Sequence, residues 1–100
     1  MKYVVLRADS GVYCGTLVSE KPTNDGRMLV KLKNYRRIWK WFGFEGVRAV
    51  HTVEDIARYG VAPTSKVSSV TVGGTIADAR MYAVCVPAAR KVLESATWAT

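Results

Sequence analysis

Groups able to carry catalysis are scarce in this chain: 100 residues include 1 histidine, 2 cysteines and 8 acidic side chains. His51 stands before a predicted helix with no Ser or Cys motif beside it, and reads as a surface or capping residue. Asp9, Glu54, Asp55 and Asp78 are too scattered for a metal site or a paired-carboxylate site, and turn or cap roles account for them. Cys14 and Cys85 lie far apart without the spacing of a zinc or redox motif, so reduced core thiols are expected. Gly73-Gly74-Thr75 lacks the Gly-Lys-Ser/Thr ending of a phosphate-binding loop. No catalytic residue, metal ligand or cofactor is expected, and therefore no enzyme. Long apolar runs are missing too. Tyr3 to Leu6 is too short for a signal-peptide core or a membrane span, which predicts a cytoplasmic protein without membrane contact.

What is present is a globular composition, 49% apolar and 23% charged with only 8 Gly and 3 Pro, sized for one domain over residues 1–100. β-Branched and aromatic residues predict strands at Lys2 to Arg7, Val12 to Glu20 and Arg27 to Lys33. Turns at Asp9-Ser10-Gly11 and Lys21 to Gly26 separate them. A fourth strand is predicted from Arg36 to Phe42 and a short one from Val47 to His51. Thr52, with Asp55 three residues on, predicts a capped helix through Arg58 that stops at Gly60. The tract Ala62 to Ser69 reads as a loop and Val70 to Val72 as a brief strand. Gly73-Gly74 then reads as a turn, Ala79 to Val86 as a longer strand, and Pro87 as the start of a last helix. The expected class is α+β, mainly antiparallel sheet or a small half-open barrel with two short helices.

Charge points to the partner. Lys and Arg number 15, giving a net charge of +7. Six of them, Arg27, Lys31, Lys33, Arg36, Arg37 and Lys40, fall between positions 27 and 40 without an intervening acid. A cationic tract of this kind favours phosphates, nucleotides or nucleic acid. Within it, strand alternation predicts Tyr35, Arg37, Trp39 and Trp41 on one face, with Arg36, Ile38, Lys40 and Phe42 opposite. Flat rings offer stacking surfaces, and a guanidinium between them can grip a phosphate or a base edge. The candidate ligand-binding residues are Lys33, Tyr35, Arg36, Arg37, Trp39, Lys40 and Trp41. An equal alternative is that Trp39 and Trp41 are core residues with Arg37 stacked on them as a structural contact.

The stretch Leu32-Lys33-Asn34-Tyr35-Arg36-Arg37-Ile38-Trp39-Lys40-Trp41 resembles a family of small bacteriophage proteins of uncharacterised activity with a Leu-Lys-Asn-x-Arg-Arg-Ile-Trp-x-Trp core. The likeness spans most of the chain. Gly43 and Ile56-Ala57-Arg58-Tyr59-Gly60 look like its later Gly and its Leu-Ala-x-x-Gly helix end, with Ile in place of Leu. Lys40 and Phe44 depart from the pattern. The resemblance implies phage origin and fold, and assigns no catalytic residue. Size and chemistry are also similar in kind to phage nucleotide sponges of the anti-CBASS type. These likenesses imply a phage-encoded protein in the host cytoplasm that, without catalysis, sequesters a cyclic or linear nucleotide, above all a cyclic oligonucleotide immune signal, while the exposed edges and limited core of so small a sheet protein predict a homo-oligomer. A single-stranded nucleic-acid binder using the same strip is the alternative, and a virion or protein-interaction module the third reading.

Overall fold

The computed structural model describes residues 2–42 and 52–98. Its elements run β1 (Tyr3–Ala8), β2 (Gly11–Pro22), β3 (Met28–Lys40), α1 (Val53–Tyr59), β4 (Lys66–Val67), β5 (Thr71–Val84) and α2 (Pro87–Ser95). All strand pairings are antiparallel. The sheet order is β2-β1-β5-β3-β4 with a further β2–β3 pairing, so four strands close a ring and β4 lies outside β3. The architecture is α+β, as the sequence pattern predicts.

Alternation along β1 sorts the apolar residues into two cores. Val4, Leu6 and Ala8 join Tyr13, Val30, Leu32, Ile76 and Ala79 in a cluster contributed only by strands, which fills the ring. Tyr3 and Val5 point the other way and meet Val12, Cys14, Ile38, Val53, Ile56, Ala57 and Leu93 between the strands and the two helices. Two helices therefore cover one outer side, and the small chain has its apolar surface divided between two modest cores.

The strands predicted from Arg27 to Lys33 and from Arg36 to Phe42 are one strand. Asn34 carries it through with φ 50°, a left-handed conformation that Asn tolerates better than most residues. Cys14 lies opposite Arg36 while Thr16 lies opposite Lys33, so Gly15 of β2 faces both Asn34 and Tyr35 of β3, which is a bulge. Even positions consequently change sides. Val30 and Leu32 fill the ring, whereas Ile38 joins the helix-side core.

Gly73-Gly74 makes no turn either; both lie inside β5. A Cβ on Gly74 would stand 2.9 Å from the Tyr35 hydroxyl, and one on Gly15 would stand 2.7 Å from the Tyr35 Cβ. These glycines are close-approach positions that admit the Tyr35 ring. The predicted loop Ala62 to Ser69 contains the two-residue β4. The predicted strand Val47 to His51 lies outside the described residues. Helix ends follow the sequence reading: Asp55 N–H donates to Thr52 Oγ1 at 3.2 Å and Thr52 N–H to Asp55 Oδ2 at 3.3 Å, Gly60 has φ 75° at the C-cap, and Pro87 opens α2.

Both cysteines are free. Burial pushes the Cys14 thiol up to about 11 and the Cys85 thiol up to about 12, and it also raises Tyr3, whose hydroxyl donates to Cys14 Sγ at 3.5 Å. Unfolded thiols ionise near 9, so above that pH the unfolded chain binds fewer protons than the folded one. Stability is then complete below pH 9 and declines as pH rises toward 11 and 12. Thermal melts from pH 8 to 11 are expected to show this decline, on the order of 5 kcal/mol for the two thiols together. A Cys14→Ala/Cys85→Ala variant should flatten the part between pH 8 and 10, below the range in which Tyr3 ionises in the unfolded chain, and an equally steep decline there would assign the loss to other groups.

Candidate functional site

The seven strip residues separate into four environments. Tyr35, Arg37 and Trp39 do share a side of β3. Tyr35 is half-buried against the ring core and meets Tyr13 edge to face, with ring centroids 6.2 Å apart. Arg37 lays its guanidinium over the Trp39 ring at 3.6 Å from the centroid and lies 5.8 Å from that of Tyr13. Its terminal nitrogen donates to the Ser10 carbonyl at 2.5 Å, and its buried Nε has no hydrogen-bond acceptor among the described residues. Trp39 remains 52% exposed.

The turn that receives Arg37 is itself pinned. Ser10 N–H donates to Asp78 at 2.8 Å, its hydroxyl donates to the same carboxylate at 3.2 Å, and its Oγ lies 3.0 Å from the Tyr13 hydroxyl. Asp9 accepts from Arg80 and from Arg27, each at 2.9 Å. The Arg80 hydrogen bond holds the Asp9 carboxyl below the usual carboxylate range, with both guanidinium charges adding to the effect. Asp9 and Asp78 thus have the turn roles expected from their scatter, and they join the β1–β2 turn to β5 and to the start of β3.

Trp41 departs from the expected face. The strand ends at Lys40 and the pairing with β4 shifts register between Ile38 and Lys40. Trp41 instead packs on the helix-side core and lines a cavity of about 200 Å³ with Arg7, Val12, Val53 and Met81. Alternation cannot extend past the last paired residue.

Arg36 is only 5% exposed. Its Nε donates to the Ser68 carbonyl at 2.8 Å, one terminal nitrogen to the Leu93 and Glu94 carbonyls at 2.7 and 3.3 Å, and the other to the Ala96 carbonyl. The guanidinium thereby satisfies the open carbonyls at the end of α2, a helix with no basic residue in its last turn. This position suits a cation, because helix C-termini carry partial negative charge.

Lys33 and Lys40 are exposed. Lys33 sits on the outer face, opposite Thr16 on one side and Gly73 on the other. Lys40 lies opposite Lys66 of β4. The Lys40 Nζ lies 5.3 Å from the Phe42 ring centroid, and the Lys66 Nζ lies 5.2 Å from that of Trp98. Phe42 and Trp98 are both large exposed aromatics. Three cation–aromatic pairs, Arg37 with Trp39, Lys40 with Phe42 and Lys66 with Trp98, thus draw their cations from β3 and β4, two of them through the Lys40–Lys66 pairing. Sequence reasoning missed Lys66 and Trp98. The lone Trp98 after the last helix, with no periodic partner for its ring, was the available signal.

The family model for a domain of unknown function, DUF6948, matches residues 1–93. The chain belongs to the DUF6948 family. No curated protein and no solved structure matches it. The DUF6948 match takes in Lys33 to Trp41 and Lys66 and stops before Trp98. Among the described residues no group of three or more His, Cys, Asp or Glu side chains is placed to hold a metal ion. Among the described residues no helix is long and apolar enough to cross a membrane.

Proposed function

We propose that this protein is a non-enzymatic binder of nucleotide-type anions, and that its ligand is single-stranded nucleic acid lying across the β3–β4 end. The observation that carries this reading is the set of three exposed rings, Trp39, Phe42 and Trp98, each with a cation beside it, exposed Lys40 and half-buried Arg37 and Lys66. Bases stack on Trp39, Phe42 and Trp98, each ring having a face that any base can use, while Arg37, Lys40 and Lys66 neutralise phosphates. Three rings, each with its own cation, suit a ligand of several nucleotides better than a compact one. Host cytoplasm and phage origin belong to the same proposal and rest on the sequence resemblance.

Sequestration of a cyclic oligonucleotide signal is the second reading. It is favoured by a cleft of about 320 Å³ lined by Tyr3, Thr16, Asn34, Arg36, Val70, Arg90 and Glu94, a volume at the low end for small-ligand sites. Two features weigh against it. Arg36 already serves four carbonyls, and Arg90 pairs with Glu94 at 3.3 Å while its guanidinium covers Tyr3 at 5.2 Å. A thermal-shift panel separates the readings, since a ligand that binds only the native state raises its melting temperature. Short DNA and RNA oligomers are expected to stabilise the chain, and linear mononucleotides and cyclic dinucleotides to do so weakly. The reverse order would transfer the function to the cleft.

A further inference from the structure

We propose that one edge of β5 is an interface for a second copy of this chain, the two copies pairing edge to edge as an antiparallel, two-fold dimer. β3 occupies one edge of β5 from Thr71 to Ala79. β1 occupies the other edge only from Ala79 to Val84. Over residues 71–77 that second edge has no strand partner among the described residues, and its outward N–H and C=O groups form a template for another strand.

The occupant is indicated by charge. From Val67 to Ala77 the chain reads Val-Ser-Ser-Val-Thr-Val-Gly-Gly-Thr-Ile-Ala, with no charged residue, between Lys66 and Asp78. Exposed edges are ordinarily guarded by Lys, Pro or a bulge; this one presents Val70 at 53% and Val72 at 78% exposure. Two copies of a chain with net charge +7 repel over most approaches. The neutral edge is where they meet without like charges facing each other, and it gives an acidic or basic partner nothing to read. Antiparallel pairing about a two-fold axis makes the contact isologous and closes the assembly at two. It also keeps both copies' outer faces on one side. Lys31 and Lys33, which border β5 opposite Thr75 and Gly73, then form a shared cationic band. Only the band's use in binding rests on the function proposed above.

The test is sedimentation of the full chain, without nucleic acid, over a wide concentration range. The wild type is expected to approach twice its 11.0 kDa mass, and Val70→Lys/Val72→Lys to stay monomeric and to melt, independently of concentration, where the wild type melts at high dilution. A wild type that remains monomeric, or a dimer that survives both lysines, overturns the proposal. Hydrogen exchange of the wild type keeps the question decidable if the variant misfolds. Amides of residues 71–77 should be more protected at high concentration than at low, and equal protection counts against the interface.

Discussion

Replacing Arg36 with methionine is expected to remove about 3–5 kcal/mol of stability, which for a domain of this size lowers the melting temperature by about 15 °C or more. The guanidinium is buried and its partners are four backbone carbonyls, three of them at the end of α2. Methionine fills much of the volume but leaves those acceptors without donors in a place water reaches poorly, so the loss is chiefly an unsatisfied-acceptor penalty. Arg36→Lys keeps the charge near the helix end. A compact ammonium, however, cannot reproduce a planar fork reaching Ser68 and Ala96 together, so about half of the loss should remain. Thermal or urea melts of the three proteins check this. A change below about 1 kcal/mol in Arg36→Met would show that the helix end needs no such cap.

The second large effect is on binding. Trp39→Ala is expected to weaken oligonucleotide affinity about tenfold to a hundredfold, the worth of one stacked base, while leaving the melting temperature nearly unchanged because the ring is half in solvent. Arg37→Ala should lose comparable affinity and also a modest amount of stability, since that side chain holds the Ser10 carbonyl. Trp41→Ala should behave in the opposite way, destabilising the fold through its contact with the helix-side core and changing affinity little. Quenching of tryptophan fluorescence, read beside melting curves, separates these effects. If Trp39→Ala and Trp41→Ala lost the same property, the division of the strip into an exposed and a packed part would be wrong.

Strands β1 and β2, the helix caps and the α+β class were legible because they depend on local chemistry: Thr52 with Asp55, Pro87 at a helix start, and alternation in β1 and β2. The arrangement of the strip was not. Alternation presumes an uninterrupted ladder, and Asn34 inserts a bulge while Lys40 ends the pairing, so Arg36 turns under α2 and Trp41 turns away from Trp39. Both events are tertiary. The same holds for Gly73-Gly74, which resembles a turn until Tyr35, distant in sequence, is placed against it. Lys66 and Trp98 reach the candidate site only because β4 docks beside Lys40, a pairing of two residues that periodicity cannot detect.

The central claim is an open surface that reads an extended strand, and affinity as a function of oligonucleotide length tests it most directly. Fluorescence titration with a series of oligothymidylates should show affinity rising with length until the ligand spans all three cation–aromatic pairs, about four nucleotides or more, then levelling off, with a cyclic dinucleotide binding no better than its linear counterpart. Affinity independent of length, together with tight stoichiometric binding of the cyclic dinucleotide, would contradict the account.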